Sequence, residues 1–505
     1  MNRFILLLLL SIAATSCKDF LEEDPTGAFT SETNLTSQEA AMAFANSAYD
    51  HTTVFNSQAY SWGGNTLLLL EYMTTKAISE NSQANFKEFQ ELTVSARSPY
   101  IEEWWQGCYA GIDRCNLALQ KFPEFSATVD EAMLSQYQGE VRFMRALYYF
   151  YLVRIFGDVP MITQPQTELG ELQVSRTPLK EIYDEIIIPD LLAAEEANLP
   201  LTEETGRVSM SAVKTLLADV YLTYAGYPVQ GGQQYYAESA QRSLEVINSG
   251  AYSLFPTYDE LWNPANKNTG EFIFQVQFSI NKRSDMVVPL VLPSRSGVSA
   301  FELEFGSLIP TRAFVESYAD GDKRADEQQF FFTKYKGHPS KFSEGAPELE
   351  EMDFNAYYIH KFFDKEAIDQ AGQSGLNWTI YRYADVLLLY AEAQAMADGA
   401  PNQTAIEGVN AIRTRAGLAP VTATNQDSFL KAVWDESYFE LSYENKMWFD
   451  MVRTRTIRDD ASGDYTNFVG FTTPWNKTYS ETQLLFPLPL REMQTNQQLT
   501  QNAGY

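Results

Sequence analysis

Glu140-Val-Arg-Phe-Met-Arg-Ala-Leu-Tyr-Tyr-Phe-Tyr-Leu-Val-Arg-Ile-Phe-Gly-Asp-Val-Pro-Met-Ile162 is the stretch whose reading decides the fold. Val141, Met144, Tyr148, Tyr151 and Ile155 return every three or four residues, the spacing of one face of an α-helix, and Gly157 and Pro160 then stop it. So apolar a face requires a partner helix. The same period predicts a second helix from about Tyr381 to Asp398, with Tyr383, Val386, Leu387, Tyr390, Ala391 and Gln394 on one side and Gly399 and Pro401 at its end. It predicts a third over Ser428 to Arg455, where Phe439, Tyr443, Met447 and Met451 step by four. Arg453 and Arg455 there sit near the negative end of the helix dipole. All three read as amphipathic.

Helix pairs with tetratricopeptide spacing can be traced twice. Leu217, Ala218 and Tyr221 face Ala240, Leu244 and Ile247, and Leu387, Leu388 and Ala391 are answered by Ala405, Val409 and Ile412. Between about Ser253 and Asn377 the pattern turns aromatic, polar and rich in Pro and Gly, with Phe272 to Phe278 reading as a strand. Beyond about Glu32 no low-complexity linker separates independent domains. The expected class is mainly α: a tetratricopeptide-like helical-hairpin scaffold with long loops and a few short strands. The expected boundaries are 1–16, a lipoprotein signal peptide; 17–31, a lipidated start and tether; 32–252, a helical N-terminal region; and 253–505, a C-terminal region forming one body with it.

The signal reading rests on Arg3, the apolar run Phe4 to Ala14, and small residues leading to Cys17. That run is shorter than the roughly 20 apolar residues needed to span a bilayer. Ala14-Thr-Ser-Cys17 resembles a lipobox, with Ala at position 14 where Leu is usual, so Cys17 is the expected lipidation site. The acidic, Pro- and Gly-broken stretch that follows reads as a tether. Cys108 and Cys115 are seven residues apart on a predicted helix, about 10 Å between α-carbons, which excludes a disulfide between them.

A net charge of −29 disfavours nucleic acid and adhesion to anionic lipid surfaces, leaving lipidation as the anchor. No HExxH, Walker loop, GxGxxG or GxSxG occurs, and His51, His338 and His360 are scattered. Asp320 to Asp326 has alternating carboxylates but lacks the mid-loop Gly and terminal Glu of a calcium hand, so it reads as a solvated turn. The expectation is therefore no catalytic residue, no metal and no cofactor. A glycosidase carboxylate pair stays open, because only separation in space would identify it.

The Glu140 to Ile162 stretch resembles the best-known motif of the SusD/RagB family. So, in the family's order, do Cys17 to Pro25, Tyr381 to Ala393, Asn410 to Leu418, Leu484 to Leu490 and the closing Gln501 to Tyr505. Glu440 to Arg453 departs from the pattern at Asn445-Lys446, which puts a local turn in doubt. The resemblance implies a helical protein with tetratricopeptide units on the bacterial surface, lidding a SusC-like TonB-dependent outer-membrane transporter and binding oligosaccharides or, in some members, peptides. A peptide-binding RagB-like protein, a periplasm-facing helical scaffold and a surface glycoside hydrolase are the alternatives.

Aromatics make up 14% of the chain, which suits stacking on apolar sugar faces. Rings on helix stripes, such as Tyr148 and Phe439, read as core. The candidate ligand contacts lie in polar, loop-like stretches: Tyr60 and Trp62 beside Gly63-Gly64-Asn65, Asn85 and Phe86, Arg295 and Phe301, and Trp378.

Overall fold

The computed structural model describes residues 37–55, 67–80, 84–166, 173–282, 287–301, 304–338, 351–369, 373–423 and 425–505. Helix α1 (Gln38–Ser47) precedes the long pair α2 (Pro99–Lys121) and α3 (Glu131–Phe156). Asp130 opens α3 by accepting from the backbone N–H of Ala132 and Met133, and Gly157, at φ +74°, closes it. The periodic residues of α3 do face a partner, since α2 packs along it. The helix is nonetheless buried nearly all round rather than amphipathic, because other chain segments cover its remaining sides. Gly111 makes the α2 contact possible: any β-carbon there would collide with the Tyr148 ring. Arg145 crosses to Asp190 (2.7 Å) and Asn116 (2.9 Å).

The expected hairpins form. Helices α4 (Met210–Ala225) and α5 (Gln233–Ser249) make the first, and α6 (Tyr383–Asp398) and α7 (Gln403–Arg415) the second. Each is punctuated as the sequence dictates: Ser209 and Asn402 cap N-termini, while left-handed Gly250 and Gly399 end α5 and α6. The hairpins stack through α5 against α6, where the Gln233 amide donates to the Ala397 carbonyl at 2.6 Å. Leu222, Ala240, Leu387, Ala391, Ala405, Val409, Ile412 and Phe429 form their shared core. Cys108 and Cys115 are free and buried.

Among the described residues, four two-stranded antiparallel ladders complete the fold. β1 (Ala77–Ile78) pairs with β3 (Ile309–Pro310), β2 (Phe272–Val276) with β6 (Trp378–Arg382), β4 (Phe331–Lys336) with β5 (Glu351–Ile359), and β7 (Thr456–Arg458) with β8 (Tyr465–Asn467). The main apolar cluster takes residues from Ala40 to Leu499, so both halves of the chain contribute to one core.

Two further expectations are corrected. The stretch Ser428 to Arg455 is two helices, α8 (Gln426–Glu440) and α9 (Met447–Thr454), not one. Tyr443 and Asn445 adopt φ of +62° and +60° between them. Carbonyls that a continuous helix would bond internally are taken by buried donors instead. Lys361 Nζ donates to Glu440 O and Ser442 O (both 2.9 Å), Tyr318 OH to Phe439 O (3.0 Å) and Lys76 Nζ to Tyr438 O (3.2 Å). Burial lowers Lys76 to about 8.

Nor is Asp320 to Asp326 solvated throughout: Asp320, Lys323 and Asp326 are exposed, but Asp322 and Arg324 lie inside and pair at 2.7 Å. They belong to a buried ion cluster in which Arg324 also meets Glu436 (3.0 Å). Arg382 meets Glu271, Glu440 and Glu444 (2.7, 2.8 and 2.9 Å), and Arg415 meets Glu271 and Glu440 (2.6 and 2.8 Å). The burial was not legible because the other counter-ions of Arg324, Glu436 and Glu440, lie more than a hundred residues away in sequence.

Candidate ligand-binding surface

The candidate surface is built where β1 ends. Glu80 N–H donates to the Gly306 carbonyl at 2.9 Å, continuing the β1–β3 contact. Its carboxylate accepts from the Ser294 backbone N–H at 3.2 Å and from the Tyr358 hydroxyl on β5. Gly306 has φ +54°, and a side chain there would collide with that carboxylate. One acid thus ties three segments together.

A second acid organises the loop they enclose. Glu304, nearly buried, accepts from Gly297 N (2.8 Å) and Ser296 Oγ (3.1 Å) on one oxygen, and from Ser299 N and Ser299 Oγ (both 2.8 Å) on the other. Charge-assisted bonds of this kind fold an otherwise irregular segment around a fixed centre. Arg295, at φ +53°, sits exposed on it, its backbone N–H donating to Glu304 O at 3.2 Å.

The predicted contacts divide. Arg295 stands beside Ser294, which Glu80 holds, and Glu80 leads within a few residues to the helix 84–90 that carries Asn85 and Phe86. The side chains of Asn85 and Phe86, like Tyr60, Trp62 and Cys17, lie outside the described residues. Phe301 and Trp378 are packing residues, a correction to their expected stacking role. Phe301 joins the satellite core of Val288, Leu292, Val298, Phe332 and Phe363. Trp378 is 2% exposed on β6, against Phe362 at 5.1 Å between ring centroids. The polar neighbours that made Trp378 look loop-like are themselves buried and bonded: Asn377 accepts from Phe278 N–H at 2.9 Å. Glu80, Glu304 and Tyr358 escaped the sequence reading because isolated acids and a tyrosine carry no local signal.

Among the described residues no group of His, Cys, Asp and Glu could hold a metal ion. His360 is buried, and burial pushes it down to about 4, while His338 Nε2 lies 2.8 Å from Asp369. Burial raises the Glu440 and Glu444 carboxyls, but the adjacent arginines override it and hold both below the usual range. Such acids serve the core. Among the described residues no helix is long and apolar enough to cross a membrane.

Comparison with known proteins agrees with this architecture. Residues 313–505 match the SusD family model, and residues 19–222 match one described as starch-binding associating with outer membrane. The chain is 23% identical to the starch-binding protein SusD of Bacteroides thetaiotaomicron, over 73% of this chain and 72% of that protein. Among solved structures, a laminarin-binding SusD-like protein is 24% identical, covering 93% of this chain and 100% of its own, and at a TM-score of 0.74 it shares the fold. A SusD superfamily protein from Parabacteroides distasonis is 66% identical, covering 92% of this chain and 99% of its own, with a TM-score of 0.90. Sharing two thirds of its residues with a SusD superfamily protein along almost all of that protein's length, this chain belongs to the SusD family.

Proposed function

We propose that this chain is a cell-surface lipoprotein that binds oligosaccharides and passes them to a SusC-like TonB-dependent outer-membrane transporter, doing no chemistry itself. The observation that carries the binding role is the chain at 292–301 and 304–307, braced by Glu304 and tied to Glu80, which precedes in sequence the helix 84–90 that carries Asn85 and Phe86. A preformed irregular surface on a rigid helical frame loses little ordering entropy when ligand arrives. Relatives named for starch and laminarin supply the ligand class, and the family description supplies association with the outer membrane. Cys17 provides the attachment, because several acyl chains hold a protein that has no need of a spanning helix. Tyr60, Trp62, Asn85, Phe86 and Arg295 are the contacts proposed, with residues 32–252 and 253–505 acting as one body.

The mature protein titrated calorimetrically with a glycan panel is expected to bind at least one oligosaccharide without releasing reducing ends, and Arg295→Ala to weaken it severalfold. Binding of peptides in place of glycans would transfer the role to a peptide-uptake member, and release of reducing ends would defeat the non-catalytic reading. Labelled fatty acid should attach to wild type and not to Cys17→Ala; attachment to neither removes the anchor. Co-purification with a large barrel protein from outer membranes tests the transporter partnership.

A further inference from the structure

A concavity of about 280 Å³ lies between α2, the segment that follows α3, and the C-terminal segment. It shares no lining residue with the Glu80 and Glu304 surface. Tyr109, half-buried on α2, forms one wall, and Trp105, one turn before it, is a core ring 4% exposed that packs against both Tyr109 and Phe156, at 4.9 and 5.1 Å between ring centroids. Asp113 stands one further turn along, and Glu492, bonded to Gln106 and Trp105 of α2, and Thr495 complete the lining.

The walls are fixed before any ligand comes. Tyr109 OH donates to the Pro160 carbonyl at 2.8 Å, and Asn116 donates to the Ile162 carbonyl at 3.0 Å, pinning the second wall. The third is tied down by the Asn496 amide donating to Val174 O (2.7 Å) and the Gln173 amide donating to Thr495 O (2.8 Å). Burial raises the Glu492 carboxyl, which hydrogen bonds from Gln106 and Trp105 counter.

The chemistry of this lining is selective. A half-buried tyrosine ring with two carboxyl acceptors suits a ring that is apolar on one face and edged with O–H donors. No lysine or arginine among the described residues lines it, Arg491 and Arg176 acting on Glu492 and Tyr109 only from outside the lining, so an anionic ligand would find no cation in the pocket to pair with. We infer that this pocket is a second carbohydrate subsite, taking one neutral sugar ring of a glycan held elsewhere on the protein or of a separate chain. The inference rests on the glycan-binding reading above.

The test uses the full mature protein. Thr495, exposed at the rim, is replaced in Thr495→Trp to fill the mouth, and Asp113→Leu removes an acceptor; circular dichroism confirms folding of each. Neutral α- and β-glucan, xylan and mannan oligosaccharides are titrated calorimetrically against wild type and variants, with uronic and sulfated oligosaccharides as controls. Crystals soaked with the tightest binder locate the sugar. A sugar ring between Tyr109 and Thr495, and at least tenfold weaker affinity at this site in both variants, are expected. Neutral sugars that bind equally well to all three proteins and sit only elsewhere would overturn the pocket and leave the glycan-binding role standing. Binding of none of the sugars would overturn both. Tighter binding of anionic sugars here would overturn the acceptor argument.

Discussion

Replacing Arg382 by Met removes the central cation of the buried ion cluster while keeping most of the side-chain volume. Arg382 is 1% exposed and its guanidinium donates to Glu271 Oε1 (2.7 Å), Glu440 Oε1 (2.8 Å), both Glu444 oxygens (2.9 Å) and the Glu440 carbonyl (3.0 Å). Stranding buried carboxylates costs about 3–5 kcal/mol. Arg415 still holds Glu271 and Glu440, and Lys361 still holds Glu444 at 2.6 Å, so the lower end, about 3 kcal/mol, is expected. Against a total of roughly 5–15 kcal/mol, that is a large fraction. Urea unfolding at pH 7, followed by tryptophan fluorescence, should show the midpoint falling with the slope unchanged. The pH dependence is the sharper measurement. Both Glu440 and Glu444 are held below their unfolded pKa, so wild type has their contribution above about pH 4.3 and loses it as pH falls through the folded values. Without Arg382 that depression shrinks, the carboxyls can take up protons and neutralise, and the gap between variant and wild type should narrow from pH 7 to pH 4. A loss under about 1 kcal/mol, or one equal at both pH values, would refute the reasoning.

Three other outcomes are expected. Gly111→Ala should destabilise by about 1–3 kcal/mol, read as a lower urea midpoint, because the new methyl group meets the Tyr148 ring. His360 falls from 6.5 to about 4 in the fold; at about 1.4 kcal/mol per pH unit, wild type should lose about 3 kcal/mol through this residue as pH drops across that window, since the unfolded chain binds the proton first. His360→Phe, keeping a ring against Phe363, should unfold less readily than wild type at pH 4.5, and an unchanged acid transition would exclude the residue as a cause. Glu304→Gln turns an NH₂ group toward backbone donors, so faster proteolysis within 292–301 and weaker glycan binding are expected at unchanged global stability.

The parts of this fold legible in the sequence are those governed by short-range chemistry. The end of α3 at Gly157, the left-handed Gly399 and the stacked hairpins follow from period and capping, which need no partner to be recognised. The break between α8 and α9 was not legible, because Tyr443 and Asn445 lack the signature of glycine and are held at positive φ by contacts from distant segments. Tyr443 OH donates to Lys76 O at 3.0 Å and the Asn445 N–H to Glu71 at 3.2 Å. The candidate surface was legible only as a region. Arg295 could be picked from a Ser- and Gly-rich stretch, but the acids that shape that stretch act through bonds to backbone N–H groups, which no residue pattern records. Trp378 was misplaced for the converse reason: its polar neighbours satisfy each other inside the sheet, as where Gln275 donates to Thr379 at 2.9 Å.

These features bear on why the core holds charges at all, when a well-packed apolar substitute can be as stable as a buried ion set. That equivalence assumes the charges serve only one another. Here Lys361 and Arg382 also donate to carbonyls at the end of α8, whose partners the turn at 441–446 has removed. An apolar side chain could fill the volume and leave those acceptors unpaired, at about 1–3 kcal/mol each. The turn itself sets the direction of α9, on which Arg453 meets Glu392 of α6 at 2.6 Å, fixing that helix against the second hairpin. The cations are therefore required by the broken helix, and the glutamates by the cations; replacing the charged set with hydrocarbon would be tolerated only if the break were replaced with it.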